Sequence, residues 1–413
     1  MNALIKVLLW ASYAVSLYFA IFLFLQLLKN KYRPAKKKLT SFPHVTITVP
    51  AYNESKTILP TLESLNNLRY PKDKIQVLIV DDGSTDNTPE VVRAYVKNKA
   101  HMRLVKKKNG GKGSALNKGL KMAKGEYFSC LDADSEMAPD ALANMMSVFD
   151  KDVAIVTPAM RVKEPKTFIQ RMQRVEYIIQ VLLARLISRL DCQYVAPGPG
   201  SVYRTGVLRK LGGFDENNLT EDQEIGYRHQ LHHYRIRHCN EGLVFTKSPA
   251  TVKEFYKQRN RWYKGGFANL VQYRKLMFNK EYGDFGVMQM MMNVVRYALC
   301  IVALVVTFDI FIMPWMNRLK DLVIIEYDLL PYLERLTLHL DIASIGILQM
   351  LVLGVIFAIT LYLFWTAHKE MKEGVLHQGF LVFIPYFFLY YLAKSAIVFI
   401  VLVELMVGKK QKW

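Results

Sequence analysis

Apolar positions along this chain follow two kinds of pattern. Four long runs, Leu4–Leu28, Ile301–Met316 with its leading turn, Ala343–Ala367 and Phe380–Gly408, contain almost no ionisable groups. Each reaches or exceeds the roughly 17–25 residues that cross a bilayer as a helix. Between the first and second runs the pattern breaks into short pieces bounded by turn residues. His44–Pro50 (HVTITVP), Ile75–Val80 (IQVLIV), Met102–Val105 and Tyr127–Leu131 predict strands. Thr57–Leu68 carries apolar residues at helical spacing, Pro89–Asn98 also predicts a helix, and Lys112–Ala123 predicts one opened by glycines. Strands alternating with helices predict βαβ units and a mainly parallel sheet, whose ligands bind at the carboxyl ends of the strands. Phe168–Leu190 predicts an amphipathic helix, with Arg171, Arg174, Arg185 and Arg189 set against Ile and Leu. It suits either the domain or a membrane surface. Thr251–Phe278 predicts another helix, rich in aromatic and basic residues.

The chain thus divides into a membrane helix (4–28), a basic linker (29–43), an α/β domain with amphipathic interface helices (44–280), and a membrane region with about three helices (281–413). Composition agrees. The 413 residues are 52% hydrophobic yet carry a formal charge of +20, which excludes a soluble single-domain enzyme, a disordered chain and a small disulfide scaffold. Between Lys29 and Arg296 lie 45 basic and 26 acidic residues, nearly all of the excess. The loop Asn317–Ile342 is acidic, with three basic and five acidic residues. Lys and Arg accumulate on the cytoplasmic side of membrane helices, so the α/β domain is expected inside and that loop outside.

The run Lys29, Lys31, Arg33, Lys36, Lys37, Lys38 follows the first apolar helix. A secretory signal has its positive charge before the apolar stretch, so an uncleaved anchor with an outside N-terminus is expected. Cys130, Cys192, Cys239 and Cys300 are widely spaced, which argues against a zinc or redox motif and suits a reducing compartment. The basic residues of the domain are dispersed, and no nucleic-acid motif is visible. Contact with anionic membrane lipid, or with a phosphorylated substrate, accounts for them better than nucleic acid.

Four acidic or aromatic constellations carry the chemistry. Asp81-Asp82-Gly83-Ser84 ends a strand, where a carboxylate can accept from ribose hydroxyls or a base edge; the plain alternative is a turn. In Asp132-Ala133-Asp134, an extended backbone aims both carboxylates one way, suiting a hard Mg²⁺ or Mn²⁺ ion shared with donor phosphates. The plain alternative is a solvated loop. Thr220-Glu221-Asp222 supplies a carboxylate for a general base, or merely an N-cap with acidic first-turn residues. In Gln258-Arg259-Asn260-Arg261-Trp262, Gln258, Arg261 and Trp262 share one helix face. Arg can stabilise a departing diphosphate, and an indole can stack on a sugar.

With VPAYNES, VDDGSTD, GGKGSALNKG, LDADS, TED and QxxRW in this order, the region from Val45 to Gly266 resembles the membrane-integrated processive glycosyltransferases of family 2. These include the cellulose, poly-N-acetylglucosamine and hyaluronan synthases. The resemblance implies a GT-A, Rossmann-like α/β domain flanked by transmembrane helices. It implies that Tyr52, Glu54 and Asp82 contact uridine, and that Lys112 and Asn117 hold the nucleotide side of the donor. Asp132 would assist donor binding and Asp134 would ligate the metal. Asp222 resembles the catalytic base, helped by Arg261 near the diphosphate. Gln258, Trp262 and Glu221 would face the acceptor.

The implied reaction is inverting transfer from a UDP-sugar to a polysaccharide, coupled to export, with Mg²⁺ or Mn²⁺. The TED form resembles that of the cellulose and poly-N-acetylglucosamine branch, and by that resemblance the expectation leans to UDP-N-acetylglucosamine. Sugar choice itself depends on pocket shape rather than on these motifs. A non-processive enzyme that glycosylates a lipid is the alternative, and accessory subunits or self-association are compatible with either. Two features depart from the pattern. Ala196-Pro197-Gly198-Pro199-Gly200 replaces the Ser-Gly or Cys-Gly pair of relatives. An odd number of crossings after an inside domain also puts the C-terminus outside, whereas Lys409, Lys410 and Lys412 favour inside. The last apolar run is long, with Pro385 and Lys394 within it, so its first half suits an interfacial or re-entrant course.

Overall fold

The computed structural model describes residues 3–29, 39, 41–324, 346–374 and 379–409. Most of the linker after Lys29, most of the acidic loop, and Lys410 and Lys412 lie outside these residues. A run of β-branched residues makes β1 (Val45–Ala51), followed by α2 (Ile58–Asn66), β2 (Ile75–Asp81), α3 (Thr88–Val96), β3 (Met102–Lys106), α4 (Lys112–Met122) and β4 (Tyr127–Cys130). The first apolar helix, α1, spans Ala3–Lys29. The four strands pair in parallel, in the order β3-β2-β1-β4, as the alternation predicts. Ile47, Val49, Val77 and Ile79 are buried with Leu62 and Leu65 of α2 in one core layer, and Leu116 and Leu120 of α4 join Phe128 in another. Burial on both faces explains why the strands are continuously apolar rather than alternating.

The sheet does not end there. β5 (Ser135–Met137), β6 (Val153–Val162), β7 (Val202–Arg204) and β8 (Arg235–Thr246) complete an eight-stranded sheet in the order β3-β2-β1-β4-β7-β6-β8-β5. β7 runs antiparallel to β4 and β6, and β5 antiparallel to β8, so the sheet is mixed. β5 and β7 have three residues each, too short for a period to register. Helices α5 (Ala141–Met146), α7 (Thr205–Lys210) and α8 (Glu221–Leu231) fill the connections.

Two long amphipathic helices underlie the domain. α6 (Phe168–Arg189) and α9 (Val252–Gln272) each open with a capping box, Thr167 with Gln170 and Thr251 with Glu254. Such a cap stabilises a helix end by about 1 kcal/mol. Three more apolar helices follow: α10 (Phe285–Asn317), α11 (Ile347–Glu370) and α12 (Leu381–Met406). With α1 they make four helices among the described residues that are long and apolar enough to cross a membrane. α10 starts earlier than its apolar run because Phe285 and Met290 are buried against the domain at Tyr227 and Tyr273. α11 ends on α6: Glu370 pairs with Arg185 at 2.7 Å, and Glu373 with Arg174 at 2.8 Å.

Candidate active site

The loops leaving β1 and β2 are stitched together by side chains. Asn53, at a positive φ of 57°, accepts the Thr85 amide at 2.8 Å and its own amide donates to Ser84 at 3.0 Å. The Glu54 amide donates to Thr88 Oγ1 at 2.8 Å, and the Ser55 amide to Asp86 at 3.2 Å. These bonds join YNES to DGSTD and leave Tyr52 exposed beside them. Glu54 accepts from Thr57 Oγ1.

Asp82 is buried and accepts the amides of Gly110 and Gly111, the latter at 2.7 Å. Lys107 pairs with the same carboxylate. Asp82 therefore anchors the glycine loop from which α4 springs, a bond network that its expected role at the uridine did not anticipate. Asn117 is similarly engaged by protein. Its amide nitrogen donates to Phe214 O and Glu216 Oε1, both at 2.8 Å, and its oxygen accepts the Phe214 amide at 2.8 Å. Gly213, at φ +76°, lies so near that an added Cβ would sit 2.5 Å from Asn117 Oδ1.

At the N-terminus of α4, Lys112 joins motifs that are distant in sequence. Its Nζ lies 2.6 Å from Asp132 Oδ1 and 3.4 Å from Glu221 Oε1. Burial works against the ammonium, but Asp132, Glu221 and Asp222 outweigh it and hold its pKa above the ordinary lysine value. Gly198 of the Ala-Pro-Gly-Pro-Gly segment closes over it; a Cβ there would meet Lys112 Nζ at 2.6 Å. The Ala196 amide donates to the Asp222 carbonyl at 3.0 Å. The segment thus bridges the two acidic motifs.

Asp132-Ala133-Asp134 forms a turn, in which the Ser135 amide donates to Asp132 O at 3.0 Å. This corrects the extended geometry expected from sequence, because the residues lie between β4 and β5 rather than within a strand. Both carboxylates remain half-buried. Burial, then Asp132, pushes Asp134 up to about 6. Among the described residues no cluster of three or more His, Cys, Asp or Glu side chains has a metal-binding arrangement. The two carboxylates of this turn nevertheless suit a hard cation that takes its remaining ligands from water and phosphate.

Asp222 lies in the first turn of α8, half-buried. Burial, then Glu221, pushes it up to about 6, against the pull of Lys112, Arg261 and the Gln223 amide, which donates to it at 2.9 Å. Thr220 does not cap the helix with its side chain. Its hydroxyl instead accepts from Asn269 Nδ2 of α9 at 3.1 Å, and Gly265 packs against it. Asn269 also donates to Gln223 at 3.3 Å and accepts from Asn218 at 2.8 Å. These contacts fix the turn that bears Asp222 to the helix that carries Gln258, Arg261 and Trp262. Gln258 Oε1 is buried without a hydrogen-bond partner among the described residues, and Arg261 and Trp262 are half-buried.

Sequence reasoning missed Asn53, Lys107, Asn218, Gly265 and Asn269. Asn53, inside VPAYNES, and Lys107, in its run of three lysines, gave some signal; the others acquire meaning through partners far along the chain.

Residues 46–212 match the profile described as Glycosyl transferase family 2. Among curated proteins, the chain is 31% identical over 231 residues to a poly-beta-1,6-N-acetyl-D-glucosamine synthase of Staphylococcus epidermidis, covering 55% of this chain and 56% of that protein. It is 29% identical over 231 residues to the protein of that name from Staphylococcus aureus, covering the same shares. The chain thus spans a little over half the length of these relatives. In overall fold it is similar to the mannosyltransferase PcManGT of Pyrobaculum calidifontis, solved with GDP-Man and Mn²⁺. That likeness has a TM-score of 0.68 at 20% identity and covers 99% of both chains.

Proposed function

We propose that the protein is an inverting, membrane-bound glycosyltransferase that moves a sugar from a UDP-sugar, N-acetylglucosamine by preference, to the end of a growing polysaccharide. The observation that carries this reading is Lys112, whose ammonium gathers Asp132 of the donor motif and Glu221 of the base motif into one site. The names of the staphylococcal relatives support the choice of sugar and polymer.

In this reading Tyr52 and Glu54 receive the base and ribose, and Asp82 holds the glycine loop on which the diphosphate rests. Asn117 steadies that loop's helix, and Lys112 turns to the phosphates. A Mg²⁺ or Mn²⁺ ion held by Asp134 and Asp132 would neutralise the departing diphosphate. Asp222 takes the proton of the acceptor hydroxyl, whose oxygen attacks the anomeric carbon as the bond to UDP breaks. A base with a pKa near 6 is unprotonated at neutral pH yet still basic enough to help. Arg261 stabilises the leaving charge, and Gln258, Trp262 and Glu221 hold the acceptor sugar. The catalytic domain is placed on the cytosolic side, where UDP-sugars are made.

The test is to purify the chain in detergent, supply single UDP-sugars with Mg²⁺ or Mn²⁺, and measure UDP release and product size. Polymer formed from UDP-N-acetylglucosamine alone supports the proposal. A singly glycosylated lipid would replace the polymer acceptor with a lipid, and no turnover with any donor overturns the reading.

A further inference from the structure

The face of α9 opposite Gln258 and Arg261 carries a buried charge cluster that the chemistry above does not use. Glu176 of α6 is 4% exposed and accepts hydrogen bonds from three side chains on two other helices. Arg259 donates through both terminal nitrogens, one at 3.2 Å; Tyr390 Oη donates at 2.7 Å and Lys394 Nζ at 2.8 Å, both from α12. Burial opposes the carboxylate, but Arg259 and Lys394 prevail and hold its pKa down to about 2. Arg259 is itself 2% exposed. Its guanidinium lies 4.5 Å from the ring centroid of Trp262 and 4.9 Å from that of Phe255.

We infer that Glu176 is a positioning residue for the acceptor end of the site. It holds the Arg259 guanidinium against Trp262 and so fixes the plane on which the terminal sugar stacks. Three facts support this over a purely structural role. Two cations and a hydroxyl converge on one carboxylate, so the guanidinium is held by bidentate bonds whose geometry is directional. The guanidinium lies over the Trp262 ring at 4.5 Å and so restrains the indole from one face. The restraint extends to the apolar helix α12, so the acceptor platform and the membrane region share one anchor. A well-packed apolar trio would hold the helices together as firmly, without setting the orientation of the ring. This inference rests on the proposed role of Trp262 at the acceptor.

Two readouts test it on the full-length protein in detergent. In the first, Glu176→Gln is assayed for UDP release with UDP-N-acetylglucosamine and an N-acetylglucosamine oligosaccharide. The acceptor KM is expected to rise at least ten-fold and the product to shorten, while the donor KM stays within two-fold. Glu176→Asp is expected to recover most of the loss. Should Glu176→Gln not fold, Lys394→Met, which removes the lysine's bond to Glu176, and Tyr390→Phe, which removes the bond to Glu176 and the one accepted from Arg259, are expected to show the same split more weakly.

The second readout needs no turnover. The chain has five tryptophans. With Trp10, Trp315, Trp365 and Trp413 changed to Phe, acrylamide quenching reports Trp262 alone. Glu176→Gln, or the Lys394→Met substitute, is expected to raise its quenching constant at least two-fold. An unchanged constant overturns the inference even if the enzyme is active. A changed constant with no glycosyl transfer by the wild type upholds the positioning and overturns the function it was assigned to. Equal losses in donor and acceptor KM would reduce Glu176 to a structural role.

Discussion

At the residue scale, the proposed reaction turns on how Asp222 is kept basic. It sits in the first turn of a helix, where the dipole favours its anion, yet burial and Glu221 push its pKa up to about 6. The base must be unprotonated to act. The acceptor-dependent kcat/KM should therefore rise with pH and level off above about 6, dropping ten-fold per unit below that. Replacing Glu221 by Gln removes a charge that raises this pKa, so the limb should move to lower pH; a limb that stays put or moves up contradicts the assignment. Asp222→Asn should lower kcat by about 10²–10⁴-fold while leaving UDP binding intact, as titration calorimetry would show.

Much of this site was legible in the sequence because each motif carries its chemistry in adjacent residues. The acidic pair of TED and the Gln, Arg and Trp of α9 were all visible. What was not legible was which residue joins the motifs and which merely supports them. Asp82 and Asn117 are expected at the donor, and the structure adds bonds from them to Gly110, Gly111, Phe214 and Glu216 that the motifs do not announce. The turn at Asp132–Asp134 leads into β5, a three-residue strand that pairs with β8, much later in the chain.

At the element scale, α8 and α9 must approach closely for Asp222 and Arg261 to share a site. Gly265 makes this possible: a Cβ there would lie 2.3 Å from Thr220 Oγ1 and 2.6 Å from its Cγ2. Gly265→Ala should destabilise the domain by about 1–3 kcal/mol as overpacking, partly relieved by adding Thr220→Ala. Thermal unfolding of both variants checks this, and an unaffected single variant would show that the helices can part freely. The parallel strands and flanking helices were predictable because burial on both faces writes itself into continuous apolar runs. A close helix contact made by one glycine leaves no periodic trace, so this approach was not.

A second tether joins α9 to α12. Glu404 accepts from Lys264 and Lys409, each at 2.7 Å, and from Asn260 at 2.9 Å. The Lys264 and Glu404 side chains are 5% and 14% exposed, so removing one charge leaves the other without its partner in a poorly hydrated place. Glu404→Gln should lower stability by up to about 3–5 kcal/mol. Pairing it with Lys264→Met should restore most of that loss in thermal unfolding of the detergent-solubilised protein. Equal losses in the single and double variants would assign the effect to packing rather than charge.

At the scale of the whole molecule, these tethers bear on how the last apolar helix meets the membrane. The helix α11 ends beside the domain, with Glu370 and Glu373 on α6, so α12 must begin on the domain side. Tyr390 and Lys394 touch Glu176 of α6, and Glu404 near the other end touches α9. A helix that crossed the bilayer would carry one end away from the domain. In the most apolar stretch of α12, 33% of residues are buried in the protein, against 0–6% for the other three candidates. α12 should therefore lie along the interface helices without crossing, which returns Lys409 to the side of the catalytic domain and removes the conflict with its basic C-terminal residues. The test labels intact cells with a membrane-impermeant maleimide. Cysteines placed at exposed Lys253 and Lys409, in a chain with Cys300→Ser, should both resist the reagent until the cells are lysed. A cysteine at 409 that reacts from outside while one at 253 does not would make α12 a true span.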